Sequence, residues 1–129
     1  MNKQQRMVKD WHRKFGVLIN EYPKMIDKET QYLRVSLMRE EFQEFDEACA
    51  VGDIVKVADA LGDLLYVVYG SAVSFGIDLE PVFDEIHRSN MSKGDPEVIK
   101  APTGKVLRNK NYSPPDLASL ILKQIRSGS

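Results

Sequence analysis

Apolar residues recur at spacings of three and four along most of the chain, a pattern typical of amphipathic helices. The first such stretch predicts a helix over residues 5–21, which Pro23 ends or redirects. Its apolar face is formed by Val8, Trp11, Phe15 and Leu18.

Two longer helices are expected next. One covers residues 27–50, with Asp27 as its N-cap and Gly52 as its stop signal. The other covers residues 53–75 and is apolar on nearly all sides from Val57 onwards. A helix of this kind is buried on most sides, and a chain of 129 residues has few other helices to cover it. We therefore expect a homodimer, with this helix at or near the interface.

The last third of the chain has a different character. A fourth helix is expected from Asp78 to Ser92, and glycines and prolines then interrupt the pattern. Residues 93–113 are expected to form a loop or small hairpin, and residues 114–126 a short helix. The prediction is a single all-α domain over residues 1–129, a four- to five-helix bundle with a loop-rich C-terminal tail.

Composition limits the classes of function. The net charge of -1 gives no general attraction to polymeric nucleic acid or to an anionic membrane. No apolar run reaches the roughly 18 residues of a membrane span, and residues 1–10 form no apolar signal segment. Cys49 is the single cysteine, so we expect no intrachain disulfide, a small buried residue at this position and a cytoplasmic location.

Acidic residues interrupt the apolar pattern of both long helices. Glu41 and Glu44 lie one turn apart on a face that they share with Leu37 and Ala48, and Glu40 precedes them. Carboxylates in line with core residues are costly to bury unless they are paired or bind a metal.

The next helix repeats this feature with Asp59 and Asp63, one turn apart in an apolar segment. Residues 53–75 contain only one basic residue, Lys56, to pair with them. Mg²⁺, with Mn²⁺ as the alternative, prefers such oxygen ligands and commonly binds substrate phosphates as well. The residues alone leave two interpretations open: a metal site for phosphoanhydride chemistry, or a solvated acidic helix face.

The segments EEFQE at 40–44 and DALGDLLYVV at 59–68 resemble the all-α nucleoside triphosphate pyrophosphohydrolases. That superfamily includes the MazG-like proteins and the phosphoribosyl-ATP pyrophosphohydrolases. Its pattern is Glu-x-x-Glu on one helix and Glu-x-x-Asp on the next. Glu41, Glu44 and Asp63 match three of the four positions, whereas Ala60 stands where the family has a glutamate.

Three further segments are similar to one phosphoribosyl-ATP-pyrophosphohydrolase-like branch, so the resemblance covers nearly the whole chain. They are WHRKFG at 11–16, GIDLEPVFDEIHRSNMSK at 76–93 and GKVLRNKNYSPPDL at 104–117. The resemblance implies four- or five-helix subunits that form dimers or dimers of dimers.

The resemblance also implies roles for individual residues. Glu41, Glu44 and Asp63 would hold Mg²⁺, and Glu40 would orient the attacking water or hold another metal ion. We expect Asp59, one residue before Ala60, to supply the missing carboxylate, directly or through a water.

Three residues outside the acidic motifs are expected to contact substrate. Asn90 and Lys93 would do so at the end of the fourth helix, and His12 would approach the base. The alternatives are a helix-capping Asn, a solvated Lys and a buried or surface His.

The resemblance implies Mg²⁺-dependent hydrolysis of a nucleoside triphosphate, including deoxy or non-standard ones, to a monophosphate and pyrophosphate. Cleaning of the nucleotide pool is the cellular role that the superfamily suggests. One alternative is the phosphoribosyl-ATP pyrophosphohydrolase of histidine biosynthesis. The other is a non-catalytic helical dimerisation module with a decayed site, which Ala60 favours.

Overall fold

The computed structural model describes residues 1–94 and 96–128, so that residue 95 of the predicted loop and residue 129 lie outside the described part. The described residues form five α-helices and one two-stranded hairpin, which confirms the all-α class. The helices are α1 Lys3–Phe15, α2 Lys28–Val51, α3 Ile54–Phe75, α4 Leu79–Met91 and α5 Leu117–Gly128. A 3₁₀ turn, Ser92–Gly94, follows α4 and precedes the strands β1 Ile99–Lys100 and β2 Val106–Leu107.

Local capping fixes the bounds of α2 and α3. The carboxylate of Asp27 accepts a hydrogen bond from the backbone N–H of Thr30 at 2.9 Å, and α2 ends at Gly52, whose φ is +76°. Asp53 then caps α3 by accepting from the N–H of Val55 at 2.9 Å. Both helices therefore begin and end within one residue of the positions that the sequence predicts.

The first helix is shorter than predicted. α1 ends at Phe15, because Gly16 adopts φ +68° and leaves the helix. Polar contacts hold the chain that follows against the end of α3: the hydroxyl of Ser74 donates to the carbonyl of Leu18 at 2.9 Å. The amide of Asn20 donates to the carbonyl of Ser74 at 2.7 Å. Leu18 therefore belongs to a connecting segment, and its expected place on the α1 face was wrong.

The helices α2 and α3 form an antiparallel pair, since only Gly52 and Asp53 connect them. The buried alanines Ala48 and Ala60 lie near this turn. Toward the far end, the buried side chain of Arg34 on α2 reaches α3. α1 also packs against α3 and completes the three-helix centre.

The C-terminal tail is anchored to α4. The strands pair antiparallel, with Ile99 opposite Leu107, as the predicted hairpin requires. The backbone N–H of Asp116 donates to the carboxylate of Glu85 at 2.7 Å. The side chain of Gln124 accepts from the N–H of Asp78 at 2.9 Å and donates to its carbonyl at 3.0 Å.

Large apolar side chains remain exposed along both long helices of the single chain. On α2, Tyr32 is 74% exposed, and on α3, Ile54 is 76% exposed. The fully buried part of α3 is confined to Ala60 and residues 70–74. A single chain thus leaves much of α3 exposed, whereas the sequence pattern predicts that this helix is buried on most sides. Cys49 is likewise exposed rather than buried, because it is turned about 100° around α2 from buried Ala48.

α3 is long enough and apolar enough to cross a membrane. The sequence nevertheless contains no uninterrupted apolar run of about 18 residues. Helices in the interior of folded domains meet the same criterion. Asp59 and Asp63 lie within α3, and its segment 70–74 is buried against the rest of the chain. Because α3 also contacts both α1 and α2, it is the central helix of these three.

Candidate active site

Three carboxylates meet between α2 and α3. One oxygen from each of Glu41, Glu44 and Asp63 lies within 4.8 Å of the other two. Glu41 and Glu44 are one turn apart on α2, and Asp63 reaches them from the antiparallel α3. The structure therefore brings together the three acidic residues that match the sequence motif.

Glu41 is the least solvated member of this cluster. Its Oε2 atom is buried and has no hydrogen-bond partner among the residues that the structure describes. Burial raises the pKa of Glu41, and the neighbouring acids Glu44, Asp63 and Glu40 raise it further. The local field at Glu41 is therefore negative, and a cation would relieve both the repulsion and the desolvation.

The donor set fits a hard divalent cation. Carboxylate oxygens are the preferred protein ligands of Mg²⁺, which binds them at 2.0–2.1 Å in an octahedron about 4.2 Å across. Neighbouring ligands of such an octahedron are about 2.9 Å apart, so oxygens within 4.8 Å of one another need only small side-chain movements to bind one ion. Glu41, Glu44 and Asp63 are thus the residues that would hold the ion, and its remaining positions would be open to water or phosphate.

Two other predicted acids lie beside the cluster. Glu40 is exposed, and its charge contributes to the raised pKa of Glu41. Asp59 is exposed and lines a separate depression of about 330 Å³ together with Glu44, Lys56 and Ala60. It does not belong to the group of three carboxylates. The roles proposed for Glu40 and Asp59 stay predictions.

A cavity of about 290 Å³ adjoins the carboxylates. The ring centroids of two of its aromatic residues, Trp11 and Tyr66, are 6.3 Å apart with perpendicular planes. Its charged and polar lining comes from His12, Arg34, Glu41 and Asp63. A larger cavity of about 510 Å³ lies elsewhere, between α1, α4 and α5, and none of the predicted site residues lines it.

His12 is buried in the wall of the smaller cavity. Its Nδ1 atom lies 3.0 Å from the carbonyl of Leu18, so this nitrogen carries the proton and donates. Burial lowers the pKa of His12, and the nearby charge of Arg34 lowers it further. His12 is therefore a neutral side chain in the cavity wall, and its predicted approach to the base of a substrate stays a prediction.

Asn90 and Lys93 lie apart from this cavity in the described part of the single chain. Asn90 is exposed near the end of α4, and Lys93 is partly exposed in the following 3₁₀ turn. Neither residue lines the cavity that contains Glu41 and Asp63. Their predicted contacts with substrate also stay predictions.

Arg34 is a residue of this cavity that the sequence interpretation missed. Its side chain is 5% exposed, and no carboxylate among the described residues lies within ion-pair distance. Residues 53–75 contain only Lys56 as a basic residue, whereas Arg34 comes from α2. The sequence did indicate that Arg34 lies on the same helix face as Glu41, because it precedes Glu41 by seven residues.

Comparisons with known proteins agree with this arrangement. The sequence model of the phosphoribosyl-ATP pyrophosphohydrolase family matches residues 8–90, a range that contains all three clustered carboxylates. An uncharacterized protein of Acanthamoeba polyphaga mimivirus is 34% identical over 110 residues, which is 82% of this chain. The match covers 39% of the length of that relative. The chain therefore belongs to the phosphoribosyl-ATP pyrophosphohydrolase family, within the all-α nucleoside triphosphate pyrophosphohydrolase superfamily.

Proposed function

We propose that the chain hydrolyses a nucleoside triphosphate, including deoxy or non-standard ones, to a nucleoside monophosphate and pyrophosphate. The observation that carries this proposal is the cluster of Glu41, Glu44 and Asp63, in which one buried carboxylate oxygen lacks a partner. Membership of a family named for pyrophosphohydrolysis supports the same class of reaction.

The reaction needs positioning and charge neutralisation more than covalent chemistry by the protein. A water attacks the α-phosphorus, the bond from that phosphorus to the bridging oxygen breaks, and pyrophosphate leaves. Glu40, which is exposed beside the cluster, would orient the water and accept its proton. Mg²⁺ held by Glu41, Glu44 and Asp63 would neutralise charge on the phosphates when it is bound.

Phosphoribosyl-ATP is the second candidate substrate, because the matching family is named for its hydrolysis. The same carboxylates would serve that reaction. A third candidate function, a non-catalytic dimerisation module, is favoured by Ala60 at the position where the superfamily pattern has a glutamate. The acid cluster favours an enzyme, since a decayed site has no reason to keep a buried carboxylate oxygen without a partner.

Product analysis tests the three candidates together. The purified chain is incubated with Mg²⁺ and a panel of ribo-, deoxy- and damaged nucleoside triphosphates beside phosphoribosyl-ATP. We expect release of pyrophosphate and a monophosphate from triphosphates, and none from Glu41→Gln. The exposed Asp46 on the same helix provides the matched control Asp46→Asn, which should remain active. Turnover of phosphoribosyl-ATP alone would favour the second candidate, and no turnover with the fold intact would favour the third.

The proposal includes a homodimer or dimer of dimers, and a cytoplasmic location. Exposed apolar side chains such as Tyr32, Phe42, Ile54 and Leu65 are distributed along α2 and α3. Extended apolar surfaces of this kind commonly mark interfaces in proteins that are not monomers. A second copy of the chain would cover this surface and complete the burial of α3.

A further inference from the structure

We propose that Arg34 determines base specificity by donating hydrogen bonds to a carbonyl-bearing base, guanine or hypoxanthine foremost, in preference to adenine. The proposal rests on the proposed function, because the base reaches the cavity only if the phosphates bind at the neighbouring carboxylates. It names the bases that this cavity would select, which the acidic motif does not indicate.

The first argument is the uncompensated charge of Arg34. Among the described residues, this buried guanidinium contacts Ser71 and Val67, both of which are neutral. No ion pair joins Arg34 to a carboxylate of the described residues, so Arg34 is not the counter-ion of the carboxylate cluster. A buried cation without a counter-charge is costly unless a further acceptor completes its hydrogen bonding. Water in the cavity can supply that acceptor in the free protein, and a bound ligand can replace it.

The second argument is the number of donors that remain. A guanidinium has five N–H groups in a rigid plane and no acceptor. Two are used: Nε donates to the hydroxyl of Ser71 at 3.1 Å, and Nη2 donates to the carbonyl of Val67 at 3.0 Å. The hydroxyl of Ser71 also donates to the carbonyl of Val67 at 3.0 Å, which fixes its orientation. No other N–H of Arg34 donates a hydrogen bond to an acceptor among the described residues. The side chain of Arg34 lines the cavity.

Gly70 allows the guanidinium to occupy this position. A Cβ atom at residue 70 would clash with Nη2 of Arg34 and would lie 3.2 Å from its Cζ. The guanidinium thus lies directly against the backbone of α3, held from one side by Ser71 and Val67. This close approach preorganises the free donors before a ligand arrives.

The third argument is the position of Arg34 relative to the acids. Seven residues of helix separate Arg34 from Glu41, a rise of about 10.5 Å along α2. A nucleotide whose phosphates bind at Glu41 and Asp63 extends its sugar and base away from them. The base, rather than a phosphate, therefore reaches Arg34, beside the aromatic residues Trp11 and Tyr66 that line the same cavity.

The chemistry of the donors selects among bases. Guanine presents two acceptors, O6 and N7, on one edge, and arginine pairs with both in a bidentate contact. Adenine carries a donor, its N6 amino group, at the position of O6, so a donor would face a donor. A site built to hydrogen-bond one group discriminates strongly against an analogue that lacks it. Phosphoribosyl-ATP carries an adenine and should be disfavoured for the same reason.

The test uses pairs of substrates that differ in the presence of the O6 oxygen on the base. kcat/KM is measured with Mg²⁺ for GTP against 2-aminopurine riboside triphosphate, and for ITP against purine riboside triphosphate. We expect the carbonyl-bearing member to be favoured by about 10- to 100-fold, mainly through KM. In Arg34→Met this ratio should fall to near one, and Arg34→Lys should recover only part of it. Arg13→Met, an exposed arginine on α1, provides the control and should keep the ratio.

Binding provides a readout that does not depend on hydrolysis. Calorimetry of GMP and AMP in the presence of Mg²⁺, where neither monophosphate is a substrate, should show preference for GMP, which Arg34→Met removes while circular dichroism shows an intact fold. Such binding without any triphosphate hydrolysis would overturn the proposed function but retain the role of Arg34. Hydrolysis with equal kcat/KM for both members of each pair would overturn the role of Arg34 and leave the function standing.

Discussion

Gly70 on α3 lies directly against the guanidinium of Arg34 on α2. A Cβ atom at residue 70 would clash with Nη2 of Arg34 and would lie 3.1 Å from Nε2 of His12. Both contacts are to side chains that line the cavity beside the carboxylate cluster. The absence of a side chain at this one position therefore determines where the buried arginine is held.

Gly70→Ala should destabilise the protein by about 1–3 kcal/mol, because the added methyl group displaces two buried side chains. Gly62→Ala is the matched control: Gly62 also lies within α3, and a Cβ there meets nothing within 4 Å. In that open position alanine should stabilise the helix by up to about 1 kcal/mol. Urea unfolding measures both changes. Equal effects of the two substitutions would show that Arg34 is not held against Gly70.

Glu41→Gln, Glu44→Gln and Asp63→Asn should each reduce Mg²⁺-dependent hydrolysis to background, since each removes one of three clustered ligands. Without metal, the same variants should melt at an equal or higher temperature, because a repelling charge is lost. The gain should be largest for Glu41→Gln, whose carboxylate is the most desolvated of the three. Near-normal turnover in any variant would show that its residue is not a ligand.

The local features of the fold were predictable from the sequence, and the family resemblance predicted that Asp63 meets Glu41 and Glu44, but other contacts between helices were not predictable. Asp27, Gly52 and Asp53 define the ends of α2 and α3 through caps that involve only neighbouring residues. The spacing of Glu41 and Glu44 likewise depends on one helix alone. Arg34 could not be placed in the same way, because its partners Ser71 and Val67 come from another helix.

The end of α1 shows a similar limit. Apolar spacing continues through Leu18, so the pattern predicted a helix to residue 21. The chain instead leaves the helix at Gly16 and satisfies the carbonyl of Leu18 with the buried hydroxyl of Ser74. A contact between residues so far apart in the sequence outweighs a local pattern.

Glu85 should make attachment of the C-terminal helix dependent on pH. The guanidinium of Arg88 and the backbone N–H of Asp116 lower the pKa of Glu85 to about 2 from its ordinary value of 4.5. Because the folded-state pKa is depressed, the stabilisation is complete above the ordinary value and is lost as pH falls from about 4.5 to about 2.

Glu85→Gln should therefore loosen α5 at neutral pH and remove this acid dependence. Hydrogen exchange of residues 117–128 measures the loosening. Asp84→Asn, an exposed acid on the same helix, is the control. If exchange in α5 is the same in Glu85→Gln as in the unchanged protein, this carboxylate does not anchor the tail.

The chain should be at least a homodimer in solution. Exposed apolar residues on both long helices, Phe42 and Leu65 among them, need a covering surface that a single chain does not supply. Obligate interfaces of this kind commonly bury more than about 2,000 Å². Sedimentation velocity at micromolar concentration should give a mass of twice 14.7 kDa or more. A stable and active monomer would contradict the expectation, and Leu65→Lys should weaken the assembly if α3 contributes to it.

The last prediction concerns Asp59 and the glutamate that Ala60 replaces. Asp59 is exposed one turn before Asp63, and it lines a depression that also contains Glu44, so it is close to the cluster without belonging to it. An aspartate in this position can contribute to a Mg²⁺ site through a water, because Mg²⁺ keeps several waters when proteins bind it.

Asp59→Asn should therefore lose most activity or Mg²⁺ affinity, measured by product release and by calorimetry. The double change Asp59→Ala with Ala60→Glu should restore part of both, since it returns the glutamate to the position of the superfamily pattern. Ala60 is 3% exposed, so the longer side chain must turn toward the cluster, and circular dichroism must show that the fold survives. Full activity and unchanged Mg²⁺ affinity in Asp59→Asn would show that Asp59 has no role in the site. The site would then consist of Glu41, Glu44 and Asp63 alone.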